Sequence, residues 1–321
     1  MVSNKNSIKE VSNFKTHIHN AMSGVFSPDQ SIAAIGTESG ELILVDLYEK
    51  NVFHLYEGKS GWINSISISP DNSYVLTGGT DGKVWLWDIK KKKGLLIFSV
   101  GSGYLYVNIS RDGRYILIVS IKSIHLLNAE THKEELSITI PYKILRLYGY
   151  TNSMALSGDN RLFLLGSNIR SFYLLDLTNV KTIHEFLVPQ GRVWSLKFSP
   201  DNKYILSGSG DINLSGDWKD NGAVCMWEVQ NGAKVWSNED YEFPVMSVDF
   251  SPDGKHCLIY QGNFSNREIG YLKLIETKNG SETSTIELKN ELVAIKYSYD
   301  SQRALTINKE GLIQEWSLPI Q

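Results

Sequence analysis

FSPDNKYILSGS, residues 198–209, reads as the end of one strand, a turn and a second strand. Pro200 presets φ for a turn, and Asp201 and Asn202 can bond their own backbone. The β-branched and aromatic residues that follow suit a pleated strand. The phrase recurs as FSPDQSIAAIGT from Phe26, ISPDNSYVLTGG from Ile68, ISRDGRYILIVS from Ile109 and LSGDNRLFLLGS from Leu156. It returns as FSPDGKHCLIYQ from Phe250 and YSYDSQRALTIN from Tyr297. The turn aspartates, Asp29, Asp71, Asp112, Asp159, Asp201, Asp253 and Asp300, are spaced by 42, 41, 47, 42, 52 and 47 residues. Seven copies with a period in the forties predict a repeat architecture over nearly the whole chain of 321 residues.

Each copy shares an internal grammar. A β-prone run ends in an apolar-Ser step, the turn follows, and a second strand such as SYVLTG or KYILSG comes next. Five copies then place a turn glycine: Gly40, Gly82, Gly222, Gly270 or Gly311. The third strand closes at a fixed point, at Trp87-Asp88, Trp227-Glu228 and Trp316-Ser317 in the clearest copies. A polar turn leads to a fourth strand such as NVFHLYE or GLLIFSV. No helical period interrupts these runs.

The spacing, the Ser-Pro-Asp turn and the Trp-Asp ending resemble the WD-repeat β-propeller family, over about residues 8–321. The resemblance implies an all-β chain: a seven-bladed β-propeller of four-stranded antiparallel blades around a central channel. It is expected to form one domain over residues 1–321, with residues 8–14 supplying the missing outer strand of blade 7, because the last copy stops after its third strand. The family's Gly-His pair survives only as His17 after Thr16, so the buried Asp-His-Ser-Trp network of the family cannot be complete in most blades. The resemblance gives His17 a structural hydrogen-bonding role. Stability is expected to lean on apolar packing between blades by Ile66, Val107, Leu196, Val248 and Ile295.

Composition narrows the function. The apolar fraction is 42% and the charged fraction 21%, which is globular. A net charge of −3 leaves no electrostatic footprint for nucleic acid or an anionic membrane. Two cysteines, Cys225 and Cys257, are too few for a disulfide framework and read as buried thiols. The start, MVSNKNSIKE, lacks the apolar core of a signal peptide, and no apolar run reaches membrane-spanning length. The expectation is a cytoplasmic, monomeric propeller within a hetero-complex.

The family pattern places one residue per blade at the channel mouth, four before the apolar end of the first strand. These are Met22, Asn64, Leu105, Asn152, Trp194, Met246 and Val293. None is charged or a histidine, so a metal-using hydrolase lacks its ligands there and no cofactor or metal is expected. Asp211-Ile-Asn213-Leu-Ser215-Gly216-Asp217 imitates a calcium loop, but its twelfth position is Gly222, not a bidentate Glu. Lys90–Lys93 reads as a solvated turn.

Two insertions, Gly208–Gly222 in blade 5 and Gln261–Gly270 in blade 6, fall between second and third strands. By the resemblance they open on the face where first strands begin. Trp218, Phe264 and Arg267 on these loops, and Trp62, Asn64, Tyr104, Arg192, Trp194 and Met246 at the strand starts and mouth, are the candidate protein-binding residues. The expected function is a non-catalytic scaffold that docks a peptide or protein subunit on this upper face. The alternatives are a lactonase-like propeller hydrolase and a small-ligand or calcium sensor acting through the blade 5 loop.

Overall fold

A computed structural model describes residues 7–57, 61–139, 153–167, 170–179, 181–211, 221–262 and 269–319. Among the described residues there are 28 strands and no helix. They form seven four-stranded antiparallel sheets, the blades of a seven-bladed β-propeller. The N-terminal strand is β1 (Lys9–Lys15). Blade 1 is β2 (Ala21–Phe26), β3 (Ile32–Thr37), β4 (Leu42–Asp46) and β5 (Asn51–Tyr56). Blade 2 is β6 (Ile63–Ile68), β7 (Tyr74–Gly79), β8 (Lys83–Asp88) and β9 (Lys93–Ser99). Blade 3 is β10 (Tyr106–Ile109), β11 (Tyr115–Val119), β12 (Ser123–Asn128) and β13 (Glu134–Thr139). Blade 4 is β14 (Met154–Leu156), β15 (Leu162–Gly166), β16 (Ser171–Asp176) and β17 (Lys181–Leu187). Blade 5 is β18 (Arg192–Phe198), β19 (Tyr204–Asp211), β20 (Asn221–Glu228) and β21 (Lys234–Tyr241). Blade 6 is β22 (Val245–Phe250), β23 (His256–Gly262), β24 (Ile269–Glu276) and β25 (Glu282–Lys289). Blade 7 is β26 (Leu292–Tyr297), β27 (Arg303–Asn308) and β28 (Leu312–Ser317), completed by β1 in the order β1-β28-β27-β26. The N-terminal strand thus fills the outer position expected of it, one residue later than the sequence reading placed it.

Contacts divide the described residues into two compact units. One is drawn from Phe14–Tyr150 and Lys309–Leu312 and holds blades 1–3. The other is drawn from Met1–Asn13, Thr151–Asn308 and Ile313–Gln321 and holds blades 4–7.

Within each unit, apolar side chains of neighbouring blades make common cores. In the first, Leu76 and Val84 of blade 2 pack with Leu105, Val107 and Ile116 of blade 3. In the second, Leu206, Val224 and Met226 of blade 5 pack with Val245, Val248 and Ile259 of blade 6. Leu196 and Val248 are fully buried and Val107 and Ile295 nearly so, while Ile66 is half-buried. Burial of one such side chain stabilises by roughly 1.5–3 kcal/mol. Second and third strands are covered on both faces, which explains their near-continuous apolar runs; outer strands such as β13 alternate.

Serines tie the innermost strands together. Ser23 Oγ donates to Ile63 O at 2.8 Å and Ser65 Oγ accepts the Val107 N–H at 3.1 Å. In the second unit Ser195 Oγ accepts the Val248 N–H at 3.2 Å. Innermost strands have no ladder partner on one side, so these hydroxyls satisfy backbone groups that burial would otherwise orphan.

The Trp half of the family's polar network is in place. Trp87, Trp227 and Trp316 each donate their indole N–H to Thr77, Ser207 and Thr306, at 2.8, 2.8 and 3.0 Å. The His half is not as the resemblance implies. His17 is exposed, at a left-handed φ of 59°. The buried neighbour Thr16 makes the tie instead, its hydroxyl donating to Gly311 O at 2.8 Å.

Candidate functional site

The residue four before the apolar end of a first strand has a physical identity: it is a β-bulge. The β2/β3 register slips at Met22, β6/β7 at Asn64, β18/β19 at Trp194, β22/β23 at Met246 and β26/β27 at Val293. A bulge leaves one residue out of the ladder and re-aims its side chain. The sequence pattern therefore locates five real irregularities. Leu105 falls just before β10 and is fully buried in the blade 2–3 core. Asn152 lies outside the described residues.

In the unit of blades 4–7, Gly191 and Gly210 shape the start of β18. Gly191 sits at φ 54°, and a Cβ there would meet the Gly210 backbone at 2.2 Å. This approach lets the Trp194 indole N–H donate to Gly210 O at 2.9 Å. Trp194 is only 3% exposed, so it supports its neighbours and offers no broad face of its own. The Arg192 guanidinium is exposed and lies 5.8 Å from the Trp194 ring centroid, a cation–π arrangement. Gln190 beside it donates to Glu239 O at 2.8 Å. Met246 is half-buried against the core shared by blades 6 and 7.

The pairings Arg192↔Gly210 and Val245↔Gln261 place the starts of β18 and β22 at the same blade ends as the two insertions. The insertions do fall between second and third strands. Trp218, Phe264, Arg267 and the calcium-like loop beyond Asp211 lie outside the described residues.

In the unit of blades 1–3, Trp62 and Tyr104 are half-buried just before β6 and β10. The Trp62 amide donates to Thr80 Oγ1 at 3.0 Å. Asn64 is 7% exposed, and its Nδ2 donates to Leu105 O at 3.1 Å, tying blade 2 to blade 3.

Two groups of polar side chains escaped the sequence reading. In blade 3, Ser123 Oγ lies 2.6 Å from His125 Nε2, and His125 Nδ1 lies 2.7 Å from Glu134 Oε2. That is the order of a Ser–His–acid relay. It lies across two strands with no sequence signature. The amides of Lys122 and Ser123 both donate to Ser120 Oγ, at 3.2 and 3.0 Å, so they are not free to hold an oxyanion. Blade 4 repeats the arrangement with Ser171, Tyr173 and Glu185, where Tyr173 OH donates to Glu185 Oε1 at 2.9 Å. The repetition with a tyrosine marks a cross-strand tie. The second group is Lys197, Asp249 and Lys296, each one residue before the apolar end of its first strand.

Among the described residues no group of three or more His, Cys, Asp or Glu side chains is placed to hold a metal ion. Cys225 and Cys257 are free and buried, and burial pushes both thiols up to about 12. Lys90–Lys93 is exposed, with Lys91 Nζ 3.0 Å from Asp88. No helix among the described residues is long and apolar enough to cross a membrane.

Comparison with known proteins points the same way. The family model "WD domain, G-beta repeat" matches residues 50–88 and 180–228. The chain is 28% identical over 209 residues to the Dictyostelium discoideum "WD repeat-containing protein AAC3", covering 61% of this chain and 39% of that protein. It is 24% identical to the Arabidopsis thaliana "Protein ANTHESIS POMOTING FACTOR 1", over 60% of this chain and 56% of the relative. It is 25% identical to the Drosophila melanogaster "WD repeat-containing protein 82", over 65% of this chain and 63% of the relative. The chain thus spans between about two fifths and just under two thirds of the length of these relatives.

Proposed function

Because the chain belongs to the WD-repeat β-propeller family, we propose that it is a non-catalytic scaffold that docks a peptide or protein subunit within a multiprotein complex. Family membership supports protein interaction in general. The observation that carries the docking site is Arg192, exposed and held over a buried, hydrogen-bonded Trp194. A guanidinium fixed this way loses little entropy on binding, and Arg and aromatic residues are common interface anchors. Met246 adds an adaptable apolar surface one blade away. Trp62 and Tyr104 offer a second candidate patch, in the unit of blades 1–3.

Further features fit a cytoplasmic subunit that binds neither nucleic acid nor membrane. The net charge is −3 and both cysteines are free thiols. The single-domain reading over residues 1–321 and a monomeric propeller in the hetero-complex belong to the same proposal. The test is affinity capture with wild type and with an Arg192→Ala/Met246→Ala variant. The expected result is loss of a specific partner at unchanged melting temperature. Equal recovery by both proteins removes this surface, and the Trp62→Ala/Tyr104→Ala variant then examines the second patch.

A further inference from the structure

β9 (Lys93–Ser99) is the outer strand of blade 2, so one side of it carries backbone N–H and C=O groups with no strand beside them. Proteins commonly guard such an edge by placing charge within it. Glu185 in β17, Glu239 in β21 and Glu287 in β25 interrupt three of the other outer strands in this way. β9 has no charged residue after Lys93: residues 94–99 read Gly-Leu-Leu-Ile-Phe-Ser. Leu95 and Leu96 are 53% and 42% exposed. Consecutive strand residues point to opposite faces, so apolar surface is open on both sides of the edge. A bulge at Ile97 breaks the regular pairing with β8, which leaves residues 93–96 as an even stretch.

The same edge begins with charge. Residues 90–93 are four exposed lysines in the turn from β8 into β9. The turn is held: the Lys91 amide donates to Asp88 Oδ1 at 2.7 Å, and Lys92 takes a left-handed φ of 54°. Asp88 is committed to Lys91, whose Nζ lies 3.0 Å away. Among the described residues no carboxylate lies within ion-pair distance of Lys90, Lys92 or Lys93. Their field reaches blade 1, where burial first and Lys92 second lower the pKa of His54. β5 also has an uncharged edge, but no lysine run leads into it.

We propose that the β9 edge docks an extended partner segment in which acidic residues adjoin a short apolar run, added as a fifth strand to blade 2. Backbone pairing with residues 93–96 holds the segment, Leu95 and Leu96 take its apolar side chains, and the lysines take its carboxylates. A membrane surface also answers to lysine beside leucine, but lipid offers no partners to the open backbone groups of a strand. Arg192 and Met246 take no part in this contact, so either surface can fail alone.

The experiment uses the full chain and two fluorescein-labelled peptides, Glu-Asp-Glu-Val-Thr-Val-Thr for parallel addition and Thr-Val-Thr-Val-Glu-Asp-Glu for antiparallel. The expected result is saturable binding of at least one of them, weakened roughly tenfold by Lys92→Glu/Lys93→Glu at an unchanged melting temperature. The same peptide with Gln in place of its acids is expected to bind the wild type less well, which reads the charge without a variant. Bound peptide is expected to slow amide exchange over residues 93–96 and to leave β13 unchanged. Exchange at residues 93–96 that neither peptide slows, or equal binding of an all-glutamate peptide, overturns the proposal. Binding to phosphatidylserine vesicles but to neither peptide, or self-association that Lys92→Glu/Lys93→Glu abolishes, also overturns it and gives the edge to a membrane or to a second copy.

Discussion

Asp112 shows how one residue of the repeat acts. Its Oδ1 accepts from Ser110 Oγ at 2.6 Å and from the Arg114 N–H at 3.1 Å, and its Oδ2 faces Arg114 Nε at 2.8 Å. The hydrogen bond from Ser110 leads in holding its pKa at about 2; burial opposes it, and the Arg114 amide and guanidinium add to the lowering. The same serine-to-aspartate bond measures 2.5–2.7 Å in six blades. In all seven blades the serine also accepts the N–H five residues on, at 2.8–3.0 Å. A depressed carboxylate pKa adds stability above the unfolded value, near 3.9, and that stability is lost as pH falls through the folded value. Asp112→Asn is therefore expected to lower the melting temperature most above pH ~4, and its difference from wild type is expected to vanish as pH falls towards ~2. A difference that is flat across this range counts against the assigned role. The turn's fourth residue is left-handed in every copy: Gln30, Asn72, Gly113, Asn160, Asn202, Gly254 and Ser301 lie at φ 57–72°. Asn and Gly bear this conformation well, whereas Gln pays about 1–2 kcal/mol. Gln30→Gly is expected to gain roughly 0.5–1 kcal/mol after the unfolded-state entropy cost, read as a higher melting temperature.

At the scale of the element, β1 has the clearest consequence. It adds the fourth strand of blade 7, Ser12 Oγ donates to Glu315 Oε2 at 3.1 Å, and the buried Ile8 amide donates to Ser284 Oγ at 3.2 Å in blade 6. Removing residues 1–15 exposes the β28 edge and uncovers the apolar core of blades 6 and 7. The melting temperature is expected to drop sharply, and an unchanged value contradicts the pairing. Strands and blades were legible in the sequence because the turn phrase repeats with its chemistry intact, even in blade 4, where β14 has three residues. The bulge positions were legible too, since the step back from the apolar end is constant. Side-chain exposure was not. Nothing in the letters around Trp194 says that Gly191 and Gly210 admit its indole to a backbone carbonyl. Nor does the sequence show that Thr16 takes over the tie implied for His17.

At the scale of the whole molecule, function rests on the choice between chemistry and docking. Ser123, His125 and Glu134 provide the sharpest test of the former. The Lys122 and Ser123 amides are committed to Ser120, so neither serves the relay as an oxyanion donor, a role that in hydrolases supplies about 10²–10³ in rate. A fluorophosphonate probe is expected to leave Ser123 unlabelled, with no difference between wild type and His125→Ala. Labelling that His125→Ala abolishes would make the chain a hydrolase. For docking, the most direct measurement is hydrogen exchange on the complex recovered with the intact chain, compared with the chain alone. Slowed exchange at residues 191–195 and 245–247, with outer strands β17 and β21 unchanged, is the expected result. Protection confined to the outer strands, with the starts of β18 and β22 exchanging as in the free protein, would contradict it.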